Sequence, residues 1–256
     1  MQIALESRLS TCEQVHTLGV KPNLEDYSPE AMTLIRNASK IYYPSAFHAE
    51  LFAAMGKATF PSAHNYRFAQ EKIKQTALFK LLSIPHPRTR VYYGKHQKAA
   101  ICDNFKFPFV AKIPRGSAMG RGVFLIRNQE NLDDYLTATT PAYIQEYLPI
   151  DRDIRVVVIG QQVVHAYWRI AAEGEFRTNV ALGARISLDA VPEAAIDLAL
   201  QTAKSCHWND VGIDICLHAD RFYVLEANMK YGKEGFRAAG INYEELMGRL
   251  ITGGEI

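Results

Sequence analysis

The sequence predicts an α+β fold, and three observations carry that expectation. From residue 88 onward the chain is rich in short apolar and β-branched runs. Those runs come largely in adjacent pairs joined by short turns, the pattern of antiparallel hairpins rather than of strand–helix–strand crossovers. Segments with helical periodicity stand singly between them.

In chain order, residues 1–68 form a mixed N-terminal region. It opens on Ile3, Ala4 and Leu5 and then places Pro22, Pro29, Pro44 and Pro61 among short helical stretches. Residues 69 to about 85 read as a helix, with Ile73, Ala77, Leu78, Leu81 and Leu82 recurring at i, i+4, i+5, i+8 and i+9. Pro85 and Pro87 end it. RVYYG, FPFVAKI and GVFLI read as strands, NQENLDDYL as a short helix and AYIQEYL as a further strand. A long pair follows, IRVVVIG and QVVHAYWRI, broken by Gly160, Gln161 and Gln162. VPEAAIDLALQTAKSC is helical, VGIDICL and RFYVLEAN form a last hairpin, and INYEELMGRLI closes the chain as a helix. The divisions expected are 1–68, 69–143 and 144–256.

Composition narrows the function classes. In 256 residues, 29 Lys and Arg face 27 Asp and Glu, a net charge of +2. With 48% hydrophobic and 22% charged residues, the chain is neither disordered nor collagen-like. Near-neutrality leaves no electrostatic footprint for nucleic acid. The four cysteines show no CxxC spacing, so neither a zinc knuckle nor a thioredoxin-type pair is expected. No apolar run approaches the roughly 18 residues of a membrane span, and Glu6 and Arg8 stand where a signal peptide would be apolar. A soluble, cytoplasmic protein without membrane partners is expected.

Four constellations bear chemistry. PRGSAMGRGV, residues 114–123, links two strands through Gly116, Gly120 and Gly122. It lacks the spacing of a Walker or dinucleotide-binding loop. Such a link either folds its backbone N–H groups over phosphates or is an ordinary flexible hairpin. Lys112 sits inside the apolar FPFVAKI, where an unpaired ammonium is costly. It is either an edge residue reaching solvent or a partner for an anion under the loop. In the last hairpin, a three-residue loop from Ala219 to Arg221 sets His218 against Phe222. Asp214 then lies opposite Glu226, with Asn228 two residues on, on the same face. Adjacent carboxylates repel unless a cation or shared proton compensates, and three oxygen donors suit Mg²⁺ completed by phosphates. The alternative is that each ends in solvent. Lastly, Asp153, Arg155, Arg169, Arg177 and Asn179 form a polar group whose arginines either neutralise a phosphate or carboxylate or make surface salt bridges. The eight histidines show no ligand spacing, and no nucleophile elbow is present.

The ordered set EKIKQTALFKLLSIPHPRT, FPFVAKIPRGSAMGRGVFLI, YIQEYLPIDRDIRVVVIGQQVVHAYWRIAAEGEFRTNVALGA and VGIDICLHADRFYVLEANMKYGKEGF resembles the ATP-grasp superfamily, most closely its RimK-like glutamate-ligase branch. The resemblance covers residues 69–243. It implies two α/β subdomains sandwiching ATP, here with a shortened N-terminal lobe. Lys72 and Lys112 resemble the lysines on the phosphates, and Gly116, Ser117 and Gly120 belong to the lid. Gln145, Glu146, Tyr147 and Leu148 resemble the adenine hinge, and Asp153 the ribose contact. Arg177, Thr178 and Asn179 resemble the family's Arg-Ser-Asn stretch. Asp214, Glu226 and Asn228 resemble the ligands of Mg²⁺, or of Mn²⁺ in its place.

The activity so implied is ligation of a carboxylate to an amine-bearing acceptor (small molecule, peptide or protein) through an acyl phosphate, with release of ADP and phosphate. Arg155, Arg169 and Asn179 are then the candidates for stabilising that intermediate. The alternative is a regulatory ATP-binding protein without turnover, and a homo-oligomer is a further expectation. The chain departs from the family at Met229-Lys230-Tyr231-Gly232-Lys233, where relatives often carry Ser-Ser-Pro-Gly. Two lysines there either favour an anionic acceptor or are solvated loop residues.

Overall fold

The structure is a computed structural model and describes residues 2–116 and 122–256. Three sheets are strung along the chain. The first comprises β1 (Gln2–Ala4), β2 (Val15–Thr17), β3 (Lys40–Tyr42) and β4 (Ala58–Phe60), with α1 (Pro29–Asn37), α2 (Ala46–Ala54) and α3 (Ala63–Tyr66) between or after them. Its order is β2-β1-β3-β4 and every pairing is parallel. The sequence reading saw only short helices and prolines in this region. Strands of three residues are too short to display a period of two, so the sheet escaped it.

Next come α4 (Lys72–Leu81), β5 (Thr89–Tyr92), α5 (Gly94–Ala99), α6 (Ile101–Asn104), β6 (Phe109–Lys112), β7 (Val123–Ile126), α7 (Gln129–Ala138) and β8 (Ala142–Glu146). The strands form an antiparallel sheet of order β5-β8-β6-β7. All of β8 belongs to it, so this sheet ends after Glu146 rather than at residue 143.

The third sheet holds β9 (Arg152–Ile159), β10 (Gln162–Ile170), β11 (Arg185–Ser187), β12 (Asp210–His218) and β13 (Arg221–Asn228) in the order β11-β10-β9-β12-β13. With it go α8 (Glu193–Ser205), α9 (Glu234–Ala238) and α10 (Tyr243–Thr252). Alternation along the central strands explains their near-continuous apolar run. Ile154, Val156, Val158, Val211, Ile213 and Ile215 face the core beneath α8. On the opposite face, Val157 and Ile159 pack against the N-terminal sheet with Tyr43, Phe60, Tyr231 and Met247. The remaining length of that face carries Asp153 and Arg155, and there the site forms.

Helix α4 buries a different stripe from the one its leucines suggest. Leu81 is 82% exposed, while Lys72, Gln75 and Phe79 are buried. These three share one face at i, i+3 and i+7. Gln75 lies along the edge of β13, donating to the Ala227 carbonyl at 2.8 Å and accepting from the Ala227 N–H at 3.0 Å. The side chain thus satisfies a sheet edge that would otherwise be open. The same register turns Lys72 inward. Among the described residues, no helix is long and apolar enough to cross a membrane.

Candidate active site

The second and third sheets face each other across a cleft of about 810 Å³. Strand β6 supplies one wall: Val110 and Lys112, two residues apart, point the same way into it. Lys112 is 7% exposed. Burial pushes its ammonium below the ordinary lysine range, with the nearby Glu226 opposing the shift. Lys72, the first residue of α4, enters from the side, and its Nζ lies 3.8 Å from Glu226 Oε2. The backbone N–H of Lys72 donates to the Pro114 carbonyl at 3.1 Å, which ties the helix start to the glycine-rich link.

The end of β8 and the residues after it form another wall. Gln145, Glu146, Tyr147 and Leu148 all line the cleft. The Gln145 side chain donates to Thr89 Oγ1 at 3.0 Å, and Glu146 Oε1 accepts from the Arg88 N–H. With both side chains so engaged, the backbone here is the recognition surface on offer. Phe176 and Ile150 add apolar walls.

The floor is an ion network built by strand register. Asp214 on β12 is the direct cross-strand partner of Arg155 on β9, and Asp153 that of Arg169 on β10. Arg155 donates through Nε and Nη2 to the two Asp214 oxygens. Arg169 binds Asp153 through two nitrogens and reaches Asp214 Oδ2 at 2.9 Å. Thr178 Oγ1 donates to Asp153 at 2.6 Å, and Asn228 Nδ2 to Asp214 Oδ2 at 3.1 Å. Burial pushes the Asp214 carboxyl up, but the guanidinium groups of Arg155 and Arg169 outweigh it and hold the group below the usual carboxylate range. For Asp153 burial prevails over Arg169 and raises the carboxyl. A buried network of this kind is rigid because every member is matched.

The hairpin carries Asp214 and Glu226 face to face, as expected, though by another route. Its turn has two residues, Ala219 and Asp220, both at positive φ, and pairs His218 with Arg221. Such a turn suits the right-handed twist of a hairpin. An irregularity between Asp214 and Ile215 then shifts the register by one. The bulge restores the Asp214–Glu226 pair and turns both Leu225 and Glu226 to the cleft. The turn and the bulge offset each other.

Most residues singled out from sequence converge here. Lys72, Lys112, Asp153, Arg169, Asp214 and Glu226 line the cleft, as do Arg177, Thr178 and Asn179. Arg155 sits behind Asp214 instead of lining the cleft. Asn228 borders a smaller adjoining pocket shared with Lys72 and Glu226. Gly116 has φ +65°, with open space where a Cβ would stand. Ser117 and Gly120 lie outside the described residues. Sequence reasoning missed Glu175, which grips Arg177 at the mouth through Nε (3.0 Å) and Nη2 (2.6 Å) and is held down to about 2 by that contact. The close Glu-x-Arg spacing was the available signal.

The donor chemistry fits a hard cation. Among the described residues, no trio of His, Cys, Asp and Glu converges on a point. Glu226, the Asn228 carbonyl oxygen and an Asp214 oxygen offer an all-oxygen set that needs phosphate oxygens to complete it. Asp214 Oδ2 already accepts three hydrogen bonds, so its Oδ1 is the atom with capacity to spare.

Gly212 precedes Asp214 on the same face, opposite Asn228. A Cβ there would stand 2.9 Å from Tyr231 Cβ and 3.0 Å from Arg155 Cδ. Gly212→Ala is therefore expected to cost about 1–3 kcal/mol and to displace Arg155 from Asp214. Urea denaturation measures the first effect and nucleotide affinity the second.

Comparison with known proteins agrees with this geometry. Residues 69–251 match the RimK-like ATP-grasp domain. The coenzyme gamma-F420-2:alpha-L-glutamate ligase of Methanocaldococcus jannaschii is 34% identical over 192 residues, 71% of this chain and 65% of that protein. The ribosomal protein bS6--L-glutamate ligase of Escherichia fergusonii is 29% identical over 192 residues, 72% of this chain and 62% of that protein. The chain thus spans 65% and 62% of the length of these two relatives. In three dimensions, a RimK domain protein ATP-grasp from Sphaerobacter thermophilus aligns with a TM-score of 0.72 at 16% identity, covering 97% of this chain and 98% of that one. D-alanine--D-alanine ligase from Bacillus anthracis, complexed with ATP, aligns at 0.72 and 14% identity, covering 98% and 96%. At such identities these two alignments speak to fold alone, and they extend over the N-terminal sheet as well. The mixed α+β architecture is the ATP-grasp fold. With its two facing sheets, its buried lysine and a family match running from just before α4 to the end of α10, the chain belongs to the RimK-like ATP-grasp domain family.

Proposed function

We propose that the protein is an ATP-dependent carboxylate–amine ligase working through an acyl phosphate. The observation that carries this reading is the convergence of Lys72, Lys112, Arg177, Asn179 and Glu226 on one cleft whose other end is apolar and rich in backbone groups. An adenine fits the apolar end beside Tyr147 and Leu148, and a triphosphate fits the cationic end. Lys112 and Lys72 neutralise phosphate charge there. Desolvation makes the Lys112 ammonium a stronger partner for an anion than a solvated lysine would be.

Glu226, Asn228 and Asp214 would hold Mg²⁺, which when bound neutralises charge on the transferring phosphoryl group. Arg169 lines the cleft and is positioned to meet charge developing on the acyl phosphate and on the tetrahedral species after amine attack. Arg155 acts from behind, fixing the Asp214 carboxylate, so we assign it a positioning role. Asn179 offers an amide on the far wall. The curated relatives described above are named as glutamate ligases, which supports a carboxylate donor and an amine acceptor at that level of detail.

The test is phosphate release measured with Mg·ATP and a panel of acids and amines. Release that requires both an acid and an amine is the expected result. Tight nucleotide binding with no substrate-dependent release would favour a binding protein without turnover.

A further inference from the structure

The segment that follows β10 fixes its own arginine. After Ile170 the chain turns through Gly174, at φ +75°, and the Glu175 N–H donates to the Ala172 carbonyl at 3.0 Å. Phe176, Arg177, Thr178 and Asn179 then line the nucleotide cleft, whereas Glu175 stands outside its lining. The far end of this stretch is anchored. Thr178 Oγ1 donates to Asp153 on the floor at 2.6 Å, and the Asn179 carbonyl accepts from the Leu182 N–H at 2.9 Å. Arg177 also lies beside Phe176, its guanidinium carbon 5.5 Å from the ring centre.

Glu175 gathers four donors. Its Oε1 accepts from the backbone N–H groups of Phe176 at 2.8 Å and Arg177 at 3.0 Å. The same oxygen takes Arg177 Nε at 3.0 Å, and Oε2 takes Nη2 at 2.6 Å. The backbone thus places the carboxylate, and the carboxylate places the guanidinium. A fork met at two nitrogens by two oxygens has its plane set as well as its charge balanced.

Stability alone gives little reason for such a pair. The two side chains are 22% and 26% exposed, and a partly solvated ion pair contributes little to folding. Glu175 and Arg177 are also two positions apart, so the contact ties no distant parts of the fold together. What it does control is where the Arg177 guanidinium stands. The contact holds the Glu175 carboxyl down to about 2, so the anion is present throughout the neutral range.

We propose that Glu175 is a positioning residue, which fixes Arg177 at the cationic end of the cleft before nucleotide arrives. Arg177 then meets the phosphates without first being ordered. Ordering a long side chain on binding costs affinity, and donors already in place do most for charge that develops during reaction. This inference rests on the ligase reading for the nucleotide that fills the cleft. A carboxylate that merely competed with phosphate for Arg177 would act with the opposite sign.

The test is calorimetric titration of the whole protein with a magnesium complex of a non-hydrolysable ATP analogue, for wild type, Glu175→Gln, Arg177→Ala and the double variant. Glu175→Gln is expected to weaken binding about tenfold in the presence of Arg177 and less than about twofold in the Arg177→Ala background, because its effect passes through that arginine. Equal weakening in both backgrounds overturns the proposal, since Glu175 would then only order the loop backbone. Unchanged or tighter binding by Glu175→Gln also overturns it. Should Glu175→Gln fail to fold, the same titrations with Glu175→Asp decide, since that variant keeps the charge and draws the oxygens back by one carbon. Phosphate release with acids and amines reads the ligase activity separately. Coupling between the two residues without any substrate-dependent release would remove the ligase reading and leave the positioning role standing, and release without coupling would do the reverse.

Discussion

Lys112→Met is expected to lower ATP turnover by about 10²–10³-fold, the scale for removing one preorganised partner of developing charge, while leaving the folded protein at least as stable. The two effects have one cause. The wild-type ammonium is buried in the middle sheet, where desolvation depresses its pKa. The empty site thus carries an electrostatic cost that phosphate charge relieves. Methionine has similar length, fills irregular space and has no charge to desolvate. The strand's own pairings, Lys112 with Val123 and Tyr143, involve backbone and survive, as does the 2.7 Å hydrogen bond from Tyr135 Oη to the Lys112 carbonyl. A lysine whose folded pKa is depressed destabilises fully at pH values below that folded pKa. The cost fades as pH rises through it towards the unfolded value. The stability gain of the variant should therefore be greatest near neutrality and shrink in alkali. Urea denaturation across pH and calorimetric nucleotide affinity measure the two halves. A variant that is less stable near neutrality, with unaltered nucleotide affinity, would show Lys112 to be structural.

How far this could be foreseen depended on whether the controlling contacts were local. The strands of the second and third sheets, β11 with its three residues excepted, and their hairpins were legible because β-branched runs of four or more residues end in turn residues. The pairing of Asp214 with Glu226 was legible too, but a three-residue loop without a bulge and a two-residue loop with one yield the same pair. Sequence spacing cannot distinguish them. The buried face of α4 was misread because Leu81 points outward and Gln75, a polar residue, packs by hydrogen-bonding a strand edge. Helical periodicity counts apolar side chains and cannot see that. The pairing of Arg155 with Asp214 follows from the β9–β12 register, across 59 positions. The docking of Arg8 against Tyr243 spans 235. Such contacts are properties of topology, and a lone arginine near the start of the chain carries no local mark of them.

The ion network makes a second large effect expected, and it separates two acids that sequence placed in one role. Asp214→Asn should cost about 3–5 kcal/mol of stability, the range for breaking a buried ion pair from one side. Arg155 and Arg169 would be left with Asp153 as their remaining buried carboxylate, and the new amide would turn N–H groups towards donors. Glu226→Gln should cost no more than about 1 kcal/mol, because Glu226 keeps 26% of its side chain exposed and meets Lys72 at 3.8 Å. Both variants should lose Mg·ATP turnover, since both remove an anionic oxygen facing the phosphates. Acid adds a further check. The Asp214 carboxyl is held below the usual carboxylate range, so its stabilisation is fully present above the unfolded value of about 3.9 and is lost as pH falls through the folded value. The gap between wild type and Asp214→Asn should hold steady from neutrality to about pH 4 and close in stronger acid. Urea denaturation of the two variants, alongside phosphate release, reads all of this. Equal destabilisation by the two substitutions would mean that Asp214 is a solvated ligand like Glu226, and that the buried Arg155–Asp214–Arg169 cluster does not organise the floor of the site.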